Sequence, residues 1–304
     1  MPVPDVPMAM LTGLPLTPRQ WTEIALRSSW TTTRMNLNTF ERHGVFEDPE
    51  AVAAIAARLA DERLVRAAKA MPYQLLVAVR NAVSAPPKIR AALETALEHA
   101  TRNVTTFAAR HVWVLPDVSG SMHSPITGHR KGSTTEVRCV DVAALMAATV
   151  LRKNPHARVL PFSDEAVEVS IDPERSVLAN ADVLAALPSG GTNCSAPLAR
   201  INKSKAPADL VIFVSDNESW IDSSSWALLT ATETLRQWSI LRQRNPGARL
   251  VCIDLVPNRT IQAPDRRDIL NLGGFSDEIF ESIAAFVSGA DSRSWVERIR
   301  SIEL

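Results

Sequence analysis

The chain has 304 residues, enough for one large domain or two ordinary ones, and 46% of them are hydrophobic, ample for a packed core. Its 33 basic and 33 acidic residues cancel, so net charge selects no partner class, although the front third leans slightly basic. Membrane-spanning apolar runs and a secretory leader pattern are missing, and Cys139, Cys194 and Cys252 are too scattered for a disulfide framework or a zinc site. A reduced, cytoplasmic protein is expected.

Residues 1–16 are rich in Pro and Met without periodicity and read as a loose leader. Thr17-Pro18 then opens a helix through Trp21, Ile24 and Ala25, because proline suits the first helical position. Thr31 to His43 reads as a second helix, closed by Gly44. Asp48-Pro49 opens Ala51 to Leu59, Asp61 to Ala70 continues, Pro72 starts a helix through Leu75, Leu76, Val79 and Val83, and Pro86-Pro87 introduces Ile89 to Asn103. Short helices joined by tight turns fit a stacked helical-pair array.

At Val104 the texture changes. Val112–Leu115, Arg158–Pro161, Leu210–Val214 and Leu250–Val256 read as strands, with Ala166–Ile171 as a short edge strand. They alternate with helical stretches at Glu136–Arg152, Ser176–Leu187, Trp226–Arg244 and Asp277–Ser288. That alternation predicts βαβ units and a doubly wound, mostly parallel sheet over residues 108–304, behind a helical segment over 1–107.

Three loops at predicted strand or helix ends carry the chemistry. Asp117-Val118-Ser119-Gly120-Ser121 follows a buried strand and sets one carboxylate and two hydroxyls on alternate positions. Ser189-Gly190-Gly191-Thr192-Asn193 offers the Thr192 hydroxyl, and Ser215-Asp216-Asn217-Glu218 ends a second buried strand in a carboxylate. Loops at the carboxyl ends of parallel strands gather at one edge, so Asp117, Ser119, Ser121, Thr192 and Asp216 can form one cluster. All five offer oxygen, which a hard divalent cation such as Mg²⁺ prefers. Asp216 and Thr192 would otherwise simply cap the helices that follow.

An enzyme is not expected. The chain shows no Gly-x-Ser-x-Gly elbow around Ser119, no phosphate loop and no dinucleotide-binding turn, and His123 helps catalysis only if a third group orients it. Arg34, Asn38 and Arg42, with His43 adjacent, fall at helical spacing on one face that could grip an RNA backbone or be ordinary solvated surface. Arg130 and Lys131 lie in the glycine-containing loop after the Asp117 turn, where they could contact phosphate or sit in a solvated loop. Trp21 and Trp30 fit helix packing better than base stacking.

Taken together, the helical front and the three oxygen-bearing loops resemble the Ro autoantigen RNA-binding family, the TROVE-domain proteins. The resemblance is carried by Pro161-Phe162-Ser163-Asp164-Glu165, Gly190-Gly191-Thr192-Asn193-Cys194-Ser195, Ser215-Asp216-Asn217-Glu218, the run from Asn36 to Phe46, and Met71-Pro72-Tyr73-Gln74. It implies a von Willebrand factor A (vWA) domain over 108–304, with a metal-ion-dependent adhesion site of Asp117, Ser119, Ser121, Thr192 and Asp216. It also implies that 1–107 is the HEAT-like end of a longer helical ring. By resemblance the partners are small non-coding, Y-like RNA or misfolded RNA, alongside a 3′ exonuclease or another RNA-processing protein. The other function class is a metal-dependent protein-interaction module that binds no RNA.

Overall fold

The computed structural model describes residues 3–4, 6–127, 137–154, 156–216, 231–257, 266–276 and 278–289. The chain divides into two compact units, Met1–Asn103 and Val104–Leu304.

The first unit is helical: α1 (Pro18–Arg27), α2 (Trp30–Met35), α3 (Leu37–Arg42), α4 (Pro49–Leu59), α5 (Glu62–Ala67), α6 (Pro72–Asn81) and α7 (Pro87–Thr101). Proline begins α1, α4, α6 and α7, where a missing N–H costs nothing. Thr17 and Gln20 close a reciprocal capping box on α1, and the Asp48 carboxylate accepts from the Glu50 and Ala51 amides of α4. Ile89, Leu93, Ala96, Leu97 and Ala100 of α7 are buried, and α7 packs on α4 and α6.

Helix C-termini leave carbonyls unpaired, and here side chains from other helices serve them. Arg58 of α4 donates to Ala25 O at 2.7 Å and to Leu26 O at the end of α1, and to Thr33 Oγ1 at 3.2 Å. Trp30 Nε1 donates to Leu59 O at the end of α4 (3.0 Å), and Asn38 Nδ2 to Asn81 O at the end of α6 (3.1 Å).

The sequence reading needs three corrections in this unit. The helix expected from Thr31 to His43 is broken at Asn36 (φ −118°, ψ 17°), whose side-chain amide donates back to Thr32 O. Val3 and Leu11 of the supposed loose leader are buried, and Val3 O accepts from Arg27. Helix α6 stops at Asn81, which leaves Val83 63% exposed and off the core face. Gly44, by contrast, takes the left-handed conformation (φ 74°) its capping position requires.

The second unit holds β1 (Val112–Pro116), α8 (Cys139–Lys153), β2 (Arg158–Val159), α9 (Val177–Ala185), α10 (Ser195–Ser204), β3 (Leu210–Ser215), α11 (Ala231–Arg244), β4 (Arg249–Asp254), β5 (Ile269–Gly273) and α12 (Ile279–Ser288). The strands pair in parallel in the order β2-β1-β3-β4-β5. Every residue of β1 and β3 is buried, as expected of parallel strands covered on both faces. Trp113, Leu115, Phe162, Phe213, Trp238 and Leu250 belong to one buried cluster, with the Phe162 and Phe213 rings edge to face at 5.6 Å.

Strand β5 escaped the sequence reading because its residues, Ile-Leu-Asn-Leu-Gly, are few and mostly half-buried at a sheet edge. The edge strand expected at Ala166–Ile171 is reduced to one bridge, Ala166 to Phe162, continued by Val167 N donating to Pro161 O. Glu168 is instead bonded to Arg200 of α10.

The carbonyl clamps make a test. Charge-assisted hydrogen bonds contribute roughly 1.5–3 kcal/mol each, and part of that is recovered by water on truncation. Arg58→Ala is expected to lower stability by about 2 kcal/mol, whereas Arg63→Ala, with a side chain 92% exposed, should stay within about 0.5 kcal/mol of wild type. Urea unfolding of the two variants checks this; equal stabilities would refute the clamp.

Candidate functional site

A parallel sheet ordered 2-1-3-4-5 reverses its winding between β1 and β3, and a crevice opens at their carboxyl ends. Asp117 is the first residue after β1 and Asp216 the first after β3. The pairing of Pro116 with Val214 sets Asp117 level with Ser215 and one step short of Asp216, and Asp117 N donates to Val214 O at 2.9 Å.

Asp117 is fully buried. Its Oδ1 accepts the Ser119 amide at 2.8 Å and its Oδ2 accepts the Ser215 hydroxyl at 2.8 Å. Those bonds curl the turn so that Ser119 Oγ and Ser121 Oγ come within 3.3 Å of each other. Ser119 is buried and Ser121 half-buried.

The Thr192 loop is joined to this turn through its backbone. Gly120 N donates to Gly190 O at 3.0 Å, and Asn193 N donates to Ser163 O at 2.8 Å. Asp164 Oδ2 accepts the Gly191 amide at 2.9 Å, and a Cβ at Gly190 or Gly191 would sit 2.3 or 2.4 Å from the Asp164 carboxylate. The two glycines thus let the loop pass close over Asp164, and Thr192 next to them is half-buried. The Asp117 turn, the loop that carries Thr192 and the Ser215–Asp216 end of β3 are thus tied to one another. Sequence reasoning missed Ser215, which anchors Asp117, and Asp164, which carries the glycine loop. Both stood next to motif residues, in Ser215-Asp216 and Ser163-Asp164-Glu165.

The electrostatics follow from this burial. Desolvation, assisted by neighbouring Asp216, pushes the Asp117 carboxyl up to about 6, against the pull of the Ser119 and Ser215 hydrogen bonds. The Cys139 thiol at the start of α8 is pushed up to about 12 by burial and then by Asp216, Asp117 and Asp141. Cys194 is also buried and is in no disulfide. Among the described residues no three His, Cys, Asp or Glu side chains group for a metal, so a cation here would depend on hydroxyls as well as the aspartates. An all-oxygen set with buried, uncomfortable negative charge is the chemistry that suits a hard divalent ion.

Other candidates are placed differently. His123 Nδ1 lies 3.0 Å from Arg138 Nη1, and Arg138 grips Asp141, so a cation and not a carboxylate faces the imidazole. Arg34 donates to Gln74 O at 3.0 Å and lies over the Trp30 ring, while Asn38 serves Asn81 O, so both are engaged with α6. Arg42 is exposed and bonds within its own helix, to Asn38 O and Thr39 Oγ1. His43 is exposed and stacks on buried Trp21 at 4.1 Å. The break at Asn36 separates Arg34 from the helix that carries Asn38 and Arg42. Arg130 and Lys131 lie outside the described residues.

The family profile of the Ro60 vWA domain matches residues 111–287, which takes in β1, all three loops and most of α12. The chain belongs to the Ro60 vWA domain family. It is 27% identical over 268 residues to the RNA-binding protein RO60 of Deinococcus radiodurans, covering 84% of this chain and 48% of that protein. The chain thus spans about half the length of this curated relative. The crystal structure of the Deinococcus radiodurans RO (RSR) protein superposes with a TM-score of 0.70 at 22% identity, over 93% of this chain and 60% of that one, which shows the shared fold of helical region plus vWA sheet.

Asp117 of this vWA domain provides a signed pH test. Its folded pKa lies above the ordinary carboxylate value of 3.8, so without metal the folded state takes up the proton more readily than the unfolded chain. The stabilising effect of protonation is present below about pH 4 and is lost as pH rises through about 6, by up to about 3 kcal/mol. Asp117→Asn removes the titration. In chelator, its stability relative to wild type should rise as pH climbs through this window. A difference that stays constant with pH would contradict the assignment.

Proposed function

We propose that this chain is an RNA-binding protein of the Ro type whose vWA domain holds a divalent cation, most simply Mg²⁺. Ser119 and Ser121 would bind the ion directly, with Thr192, Asp117 and Asp216 contributing directly or through water. The observation that supports this is the convergence of Asp117, Ser119, Ser121 and Asp216 at the sheet's winding reversal, in a chain of the Ro60 vWA family. An ion held there would supply positive charge that a partner's carboxylate could meet. The protein's own part is to hold the hydroxyls together and keep Asp117 dry. The reading is of a binding protein and not a hydrolase, because Arg138 occupies the side of His123 that a relay carboxylate would need.

In this reading RNA is held by the helical unit, with exposed Arg42 and His43 among the contacts, and the HEAT-like part continues a longer ring. Small non-coding or misfolded RNA, a 3′ exonuclease as co-worker and a cytoplasmic setting belong to the same proposal. Among the described residues no helix is long and apolar enough to cross a membrane. One observation favours the other class, a metal-dependent protein-interaction module: Arg34 and Asn38 are engaged with α6 carbonyls, which reduces the basic face available to phosphate.

Mg²⁺ titration followed by thermal unfolding should stabilise wild type and leave Asp117→Asn unmoved; equal responses would exclude Asp117 from the site. RNA affinity measured across a salt series should fall steeply for wild type, and Arg42→Ala should lower the log–log slope by about 1. No RNA binding at low salt, with partner capture abolished by chelator, would transfer the function to the protein-interaction class.

A further inference from the structure

Beyond the Asp117 crevice, the vWA unit contains a cavity of about 620 Å³ at the β2 edge of the sheet. Trp113, near the start of β1, lines it. Four residue steps along the strand lead from Trp113 to Asp117, on the order of 13 Å, so the cavity and the crevice are distinct. Its origin is the failure of residues 167–171 to zip onto β2. One bridge and the Val167–Pro161 hydrogen bond start a hairpin, and Glu168 then leaves it for Arg200 on α10. A space remains between strand edge, strap and helix.

The wall combines two chemistries. Trp113, Leu151, Leu160, Val169, Ile171 and Ile201 make it apolar, and Arg158, Arg200 and Lys203 set three cations against the single carboxylate of Glu168. Glu168 is bonded to Arg200. Arg158 lies over the Trp113 ring with Cζ 5.3 Å from its centroid, and among the described residues neither Arg158 nor Lys203 has a carboxylate partner. Two positive charges are thus left beside apolar surface in a cavity whose volume falls within the range of small-molecule sites, roughly 300–1,000 Å³.

We propose that this cavity is a binding site for an amphipathic anion, an apolar aromatic or aliphatic body bearing one acid group. The body lies against Trp113, Val169 and Ile171, displacing water from the apolar surface that the two half-buried aliphatic residues leave open. The acid group meets Arg158 and Lys203, where it replaces a missing carboxylate. A neutral apolar molecule would leave both cations uncompensated, and a hydrophilic anion would forgo the burial of the wall.

The test uses the full chain and the dye 8-anilinonaphthalene-1-sulfonate, with the uncharged N-phenyl-1-naphthylamine as a control of similar body. The sulfonate dye should bind saturably. Lys203→Glu, an exposed change at the end of α10, should weaken it at least tenfold while leaving the circular dichroism unchanged and the neutral dye's affinity within twofold. Arg158→Glu should act in the same direction; if it disturbs packing of Trp113, Lys203→Glu decides alone. Decanoate and decyl phosphate compete in separate arms, and displacement by one or both identifies the acid group. Equal dye affinity in wild type and Lys203→Glu, equal losses for the charged and neutral dyes, or no displacement by either competitor would each overturn the site.

Discussion

The hydrogen bond from the Ser215 hydroxyl to the buried Asp117 carboxylate joins the ends of two neighbouring strands, and the crevice is organised around it. A carboxylate with no exposure raises the free energy of its ionised form unless hydrogen bonds or a cation compensate. Ser215 and the Ser119 amide compensate in part, and in doing so they fix the turn that brings two further hydroxyls together. The glycine loop then closes over the turn through Gly120 and Gly190, with Asp164 holding it from below. Removing the carboxylate would relax the charge problem and remove the reason for the geometry at the same time. Stability of the fold and readiness for a cation therefore pull in opposite directions at one residue.

Much of this was legible in the sequence. Buried parallel strands announce themselves as unbroken apolar runs, so β1, β3 and β4 stood out, and their polar ends pointed to the crevice. Helix starts were legible wherever Pro or a capping carboxylate stood at the first turn, as at Pro49 and Pro72. Several of the misses share a physical cause, since they depended on partners distant in sequence. Residues 166–171 alternate like a strand, yet an ion pair to α10 takes Glu168 away from the sheet. Strand β5 has too little apolar character to stand out alone and is defined by pairing with β4. The spacing of Arg34, Asn38 and Arg42 suggested a continuous face, but Asn36 interrupts the helix and two of the three side chains reach α6.

The helical unit uses polar side chains for architecture. Arg58, Trp30 and Asn38 each reach a carbonyl at the end of another helix, Leu26, Leu59 and Asn81 respectively, where the intrahelical ladder runs out. Because each bond is directional, it fixes the angle at which one helix end meets its neighbour, which apolar contact alone specifies poorly. The residues that a charge count treats as surface thus include several that set helix geometry.

Those same clamps order events as the chain emerges during synthesis. Helices α2 and α3 have six residues each, far below the roughly 12–15 at which isolated helices become even marginal in water. Their ties reach 29, 40 and 43 residues downstream, to Leu59, Gln74 and Asn81. The corner around Asn36 therefore lacks two of these three ties until α6 has left the ribosome. A pause in translation before α4 is complete leaves Trp30, buried in the finished fold and tied to Leu59, open to chaperones and proteases.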